Sequence, residues 1–449
     1  MKLTQYVTAN ELPFQTREVF PSVNMSGAVT VDITDEVLGQ DFEGFGVAIT
    51  GSSCYLLNAM DPDKRKAFLE KIYGKNGLGL KVGRLSIGAS DYSAELYSYD
   101  DVEGDTELKH FSIERDERYV IPMIKEILKV APDLRLFASP WSPPGWMKTG
   151  GSMCGGYMRE EYIDCYANYI IRFIEEYAKH GIKISAVTPQ NETENHQYGR
   201  MPACIWHPDI EAKFISVLRR KLDAKDLDVK IYILDHDFGF TPRVEWQLKE
   251  YPQLKEDCGG FAFHYYGGAI EQTVALKNAY PNIPLHFTEA GPRLNDNYGT
   301  DWCKWGIMIS KVLNCGFSSF TGWNLLLDET GGPNIGPFTC GGLATVNSIT
   351  GELSYSGQYK ALKHIAPFLG RKCKVLRTVI NKNDAGMFRY PKLPQPLTCT
   401  AIEAENGNII LLLVNPDATK KQVQYYLNGT WWYTELLPNT LSTVVIEKQ

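Results

Sequence analysis

Between about residue 42 and residue 365, a short apolar run is followed about eight times by a longer, charged, helix-periodic stretch. The strand-like runs are FEGFGVAIT, KVGRLSIG, LRLFASP, ISAVTPQNE, KIYILDHD, GFAFHYYG, PLHFTEAG and SSFTGWNLLL. Helical patterns lie between them over Asp61–Ile72, Arg118–Lys129, Glu160–Lys179, Pro208–Leu222 and Asp301–Leu313. Asp61 with Pro62, and His207 with Pro208, supply helix-starting signals. Strands that alternate with helices pair in parallel, and eight such units close into a (β/α)8 TIM barrel. The rival topology is an open, doubly wound sheet with a glycine-rich phosphate turn after its first strand. Gly44, Gly46 and Gly51 match neither glycine-rich phosphate motif. The predicted class is therefore α/β, with a barrel over residues 40–369.

Beyond Gly370 the pattern changes to short strands with turn punctuation: KVLRTVI, LTCTAIEA, NIILLLVNP, KQVQYYL, TWWYTEL and TLSTVVIE. Asn-Gly pairs at Asn406 and Asn428 mark hairpins. The stretch Ala28–Ile33 alternates in the same way. Residues 1–39 and 370–449 together are expected to form an accessory β-sandwich.

On a parallel barrel the chemistry sits at the C-terminal ends of the strands. Glu192 closes the fourth strand-like run and Glu289 the seventh. A Glu after a strand is ordinarily a solvated loop residue or a helix N-terminal charge. Two of them on one barrel rim are the arrangement that breaks a glycosidic bond between two carboxyl groups. The apolar run Ile184–Val187 ahead of Asn191 and Glu192 would hold that pair on rigid backbone, and Thr288 has a similar place beside Glu289.

A formal charge of −7 and a pI near 5.7 argue against a nucleic-acid surface, which needs clustered Lys and Arg. No run approaches the ~18 apolar residues of a membrane span, and MKLTQYVTANELPFQ lacks a signal-peptide core. Cytoplasmic residence without a stable membrane anchor is the expectation. The ten cysteines lack C-x-x-C spacing and read as free, mostly buried thiols. Asp235, His236 and His264 could form a metal triad, but no close His spacing supports it. Neither a metal nor another cofactor is expected.

The chain resembles glycoside hydrolase family 30, the group that includes glucosylceramidases. The likeness rests on FEGFG at Phe42–Gly46, GRLSIGASDYS at Gly83–Ser93, ASPWSPPGWMKTGG at Ala138–Gly151 and VTPQNE at Val187–Glu192. FHYYG at Phe263–Gly267, FTEAG at Phe287–Gly291 and TGWNLLLDETGGPN at Thr321–Asn334 continue it in order. It implies a retaining hydrolase with Glu192 as acid/base and Glu289 as nucleophile. By the same resemblance, Arg84 and Tyr266 support the nucleophile and Asn191 contacts the sugar 2-hydroxyl. Asp91, Trp141, Trp323 and Asn324 would line the sugar pocket, with His264 a weaker supporting candidate beside His236. Relatives often carry Pro after the acid/base Glu where this chain has Thr193, which leaves the substrate subgroup open. The segment Gly331–Asn347 is expected to shape the subsites.

The expected substrate is a β-linked glycoside or oligosaccharide. The first reading is an exo-acting β-glucosidase resembling a glucosylceramidase, with β-xylosidase and β-1,6-glucanase as alternatives. An inverting hydrolase, with carboxyl groups about 6.5–9.5 Å apart, and a non-catalytic carbohydrate-binding protein are the rivals.

Overall fold

The computed structural model describes residues 1–10, 12–39, 41–381 and 396–448. It divides into two compact units. One comprises residues 45–295 and 319–354; the other comprises residues 1–44, 296–318 and 355–449.

Eight strands close a barrel in sequence order: Gly44–Ala48, Val82–Ile87, Arg135–Pro140, Ile184–Val187, Lys230–Asp237, Gly260–His264, Leu285–Glu289 and Ser319–Gly322. Neighbouring strands run parallel, as helical crossovers require. Their residues are buried almost throughout, which is why these runs read as continuous apolar stretches. Gly46 permits the first two strands to approach, because a Cβ there would lie 2.3 Å from the Val82 carbonyl oxygen. Val82, Phe137, Ala186, Tyr232 and Ala262 pack together as one core cluster. After the first strand, Asp61 caps the helix Pro62–Tyr73 by accepting from the Asp63 and Lys64 amides.

Two details of the barrel differ from a simple strand count. The fourth strand stops at Val187, since Pro189 has no N–H to give the ladder, so Glu192 stands beyond the regular strand. The fifth and seventh strands each carry a bulge against the sixth. Ala262 pairs with Leu234 and Phe263 with His236, leaving Asp235 as the extra residue. Likewise Phe263 pairs with Phe287 and His264 with Glu289, leaving Thr288 unpaired. A bulge re-aims side chains that strict alternation would send to the other face.

In the other unit, ten strands from both ends of the chain form one hydrogen-bonded order that begins with Leu12–Val19 and ends with Pro21–Ser22. Leu3, Val31, Leu411, Tyr425, Trp432 and Val444, drawn from strands all along that order, share a single apolar core. Asn428 and Gly429, both in the left-handed region, make the two-residue hairpin between Lys421–Leu427 and Thr430–Leu436. The helix Trp302–Asn314 belongs to this unit, with Gly306 set against Val414 and Leu441. All ten cysteines are free thiols. Among the described residues, no helix is long and apolar enough to cross a membrane.

Candidate active site

Asp235 is the hub around which the strand ends converge. Its Oδ2 accepts from Arg84 Nη2 at 2.8 Å, Ser139 Oγ at 2.8 Å and Thr188 Oγ1 at 2.9 Å. Its Oδ1 accepts from Thr288 Oγ1 at 2.7 Å and faces His264 Nε2 at 3.0 Å. These partners come from the second, third, fourth, seventh and sixth strands or the turns just after them. Such a set of donors, with the Arg84 charge, holds the buried Asp235 carboxyl well below its ordinary range against the effect of burial.

Arg84, also buried, spreads its guanidinium over the rest of the site. One nitrogen donates to Glu289 Oε2, and the other also reaches Asn191 Oδ1 at 2.8 Å. The Trp141 and Trp323 rings stack on each other at 5.0 Å, and Arg84 lies 4.9 Å and 5.5 Å from them. Tyr266 completes the surroundings of Glu289, donating its hydroxyl to Oε1 at 2.9 Å. Both oxygens of Glu289 therefore accept from a donor, which favours the carboxylate form.

Glu192 is held differently. Its backbone is left-handed (φ 54°), as is that of Asp235 (φ 48°), and the Glu192 N–H donates to the Asp235 carbonyl at 2.9 Å. Non-glycine residues rarely adopt this region, and such positions concentrate at functional sites. Asn195 and Gln197 each donate to Oε2 at 3.1 Å, while Oε1 faces His264 Nδ1 at 3.3 Å. One ligand atom from each of Glu192, His264 and Glu289 lies within 4.8 Å of the others. A cation could bridge that spacing, but Arg84 and Tyr266 already supply Glu289 with donors.

The glutamates open into a cavity of about 240 Å³. Asp91, Trp141, Asn191, Tyr266 and Trp323 line it with them. Arg84 and His264 stand behind this wall. Asn324 does not form part of the lining: it is fully buried, and its Oδ1 accepts from Thr50 at 2.9 Å. His236 stacks on Phe240 at 4.1 Å, and its Nδ1 accepts from the Asp237 amide. The expected contribution of Gly331–Asn347 comes through Phe338 and Cys340. Sequence reasoning missed Asn195, Gln197, Asp237 and Arg293 in the wall, and it missed Asp235 as the organiser. The polar run LDHD at the end of the fifth strand was the one available signal for Asp235.

Electrostatics separates the carboxyls. Burial raises Glu289 above its ordinary value, with the His264 and Arg84 charges opposing. Burial also raises Glu192, but the hydrogen bond from His264, the proximity of His236 and His264, and Asn195 outweigh it and bring the group to about 2. Asp91 is pushed well up by burial and then by the Glu289 and Glu192 charges. Its Oδ1 is buried with no protein partner, beside the cavity.

A closed β/α barrel with paired acids at its strand ends and an aromatic-walled pocket is the build of a sugar-cleaving barrel enzyme. Residues 42–361 match the glycosyl hydrolase family 30 TIM-barrel domain, and the chain belongs to that family of glycoside hydrolases. It is 30% identical to a Caenorhabditis elegans protein named "Putative glucosylceramidase 3", over 95% of this chain and 83% of that one. Among solved structures it is similar to SrfJ from Salmonella typhimurium, at 25% identity and a TM-score of 0.91 with both chains fully covered. It is also similar to an endo-β1,6-glucanase, at 26% identity and a TM-score of 0.85, covering 100% of this chain and 99% of that one.

Proposed function

We propose that this chain is a retaining, exo-acting β-glycosidase in which Glu289 is the nucleophile and Glu192 the acid/base. The observation that carries the reading is the approach of Glu192 and Glu289 oxygens to within 4.8 Å. Retaining enzymes hold their carboxyl groups about 5–5.5 Å apart, whereas inverting ones need about 6.5–9.5 Å to admit a water. Glu289, whose ionised form Arg84 and Tyr266 favour against the effect of burial, attacks the anomeric carbon. The bond to the leaving oxygen breaks, and that oxygen takes a proton from Glu192. Water then attacks the glycosyl-enzyme and gives its proton to Glu192, which releases the sugar with its configuration kept.

A pocket of about 240 Å³ supports a single terminal sugar, since sites for larger ligands run to about 300–1,000 Å³. The unpartnered Asp91 oxygen and Asn191 are placed for sugar hydroxyls, and the Trp141 and Trp323 rings for the apolar C–H face. Internal cleavage of a β-1,6-glucan is the second reading, favoured by the endo-β1,6-glucanase whose fold covers the whole chain.

Proton NMR of the first product from an aryl β-glucoside tests the mechanism: β-anomer supports retention, and α-anomer refutes it. A panel of aryl β-glucoside, β-xyloside, β-fucoside and β-galactoside, run beside a β-1,6-glucan, separates the substrate readings. Release of glucose alone supports exo action, and release of oligosaccharides supports the glucanase.

A further inference from the structure

Both ring nitrogens of His264 face carboxyl oxygens, and this decides where one hydrogen must lie. Nε2 is 3.0 Å from Asp235 Oδ1 and Nδ1 is 3.3 Å from Glu192 Oε1, with the ring fully buried. A bare imidazole nitrogen against a bare carboxylate oxygen sets lone pair against lone pair, so each contact needs a hydrogen. The Asp235 contact takes its hydrogen from the ring, because Arg84, Ser139, Thr188 and Thr288 already donate to that carboxylate and keep it ionised. The Glu192 contact holds the other. On Glu192, Oε2 is engaged by two amide donors, which leaves Oε1 as the oxygen able to carry a proton.

We infer that His264 is a positioning residue that stores the acid proton: one hydrogen is shared between its Nδ1 and Glu192 Oε1, and that hydrogen is delivered to the departing glycosidic oxygen. The inference rests on the proposal that Glu192 is the acid. As the carbon–oxygen bond breaks, its electron pair stays on the leaving oxygen, which takes the hydrogen from Glu192 Oε1. Glu289 forms the new bond to carbon. His264 is left neutral, its remaining hydrogen on Nε2 and donated to Asp235, and Glu192 is left ionised. The water that attacks the glycosyl-enzyme returns a proton to Glu192 and refills the pair.

The charged and titratable groups around the ring are Glu192, Asp235, His236, Asp237, Glu289 and Tyr266, with Arg84 beyond Asp235. His236 is neutral, since burial holds it down at about 4 and its Nδ1 accepts from an amide. Burial lowers His264 too, but the Glu289 charge and the Asp235 and Glu192 hydrogen bonds raise it to about 10. With Glu192 at about 2, the pair retains one hydrogen across the range between.

The experiment compares kcat/KM against pH for wild type, His264→Gln and Glu192→Ala, each on aryl β-glycosides with a good and a poor leaving group. In His264→Gln the alkaline limb for the poor leaving group moves down by about two pH units or more, toward an isolated glutamate. An unmoved limb overturns the inference. If that variant does not fold, histidine-selective nitrogen-15 NMR of wild type decides instead. A His264 that holds one state from pH 5 to 9 supports the store, and titration near the ordinary value of about 6.5 overturns it. Glu192→Ala separates the two levels. Equal loss on both substrates refutes Glu192 as the acid, whereas loss on the poor leaving group alone, with the His264→Gln limb unmoved, refutes only the role of His264.

Discussion

Replacing Asp235 by Asn keeps the shape of the hub and removes its charge from beside the buried guanidinium of Arg84. The amide oxygen can take the place of Oδ2 and still accept from Arg84, Ser139 and Thr188. Its NH2 group then faces Thr288 and His264. Thr288 can turn to the Phe263 carbonyl, 3.3 Å away, and His264 can accept through Nε2 by giving up the hydrogen there while the one at Nδ1 stays. Steric and donor clashes are thus avoidable, and the loss is chiefly electrostatic. Breaking a buried ion pair by removing one partner costs about 3–5 kcal/mol. The retained neutral hydrogen bond recovers about 1 kcal/mol, so the expected destabilisation is about 2–4 kcal/mol. At about 2 °C per kcal/mol for a chain of this size, the melting temperature should fall by about 4–8 °C. Tryptophan fluorescence during heating at pH 7 reads this directly, because Trp141 and Trp323 lie at the cavity wall. A variant that melts within about 1 °C of wild type would refute the claim that charge at Asp235 holds these strand ends together.

Stability from the Glu192–His264 pair should have two edges. The lowered Glu192 contributes above its ordinary 4.5 and loses that contribution as pH falls toward about 2. The raised His264 contributes fully below its ordinary 6.5 and loses that as pH climbs toward about 10. The melting-temperature gap between wild type and Glu192→Gln is therefore expected to be widest between those ordinary values, and a gap independent of pH would contradict it. Tyr266→Phe removes a charge-assisted hydrogen bond from Glu289, so kcat/KM should fall about 10- to 100-fold and its acid limb should move to higher pH. A limb that stays in place in steady-state profiles would count against that bond. Gly46→Ala drives a Cβ against the Val82 carbonyl and should cost about 3 kcal/mol or more, read as a lower urea midpoint.

The barrel was legible because each strand-like run is buried on both sides and each crossover carries its own helical period. Asp61 with Pro62 announced a helix that the structure caps through that same aspartate. The site was legible as far as motif and strand end carried it, namely to Glu192, Glu289 and the aromatic residues nearby. Asp235 and Thr288 were harder, because a bulge breaks the period-two alternation from which a side chain's direction is read. Asn195 and Gln197 were invisible for another reason. They reach Glu192 by way of an irregular turn in which Gln197 and Tyr198 are left-handed, and no periodic pattern describes such a segment. Asn324 shows the converse: its motif pointed to the pocket, while it lies outside the cavity wall with its Oδ1 taken by Thr50.

The contacts of Asp235 tie its charge to chain segments from Arg84 to Thr288. A polypeptide leaving the ribosome cannot set Glu192 beside Glu289 until Thr288 and Glu289 emerge, so on the proposed roles early intermediates are chemically silent however much secondary structure they hold. On those roles, turnover by this chain reports a barrel built at least through its seventh strand, and partial products of synthesis or proteolysis that lack that strand should be inert toward sugars.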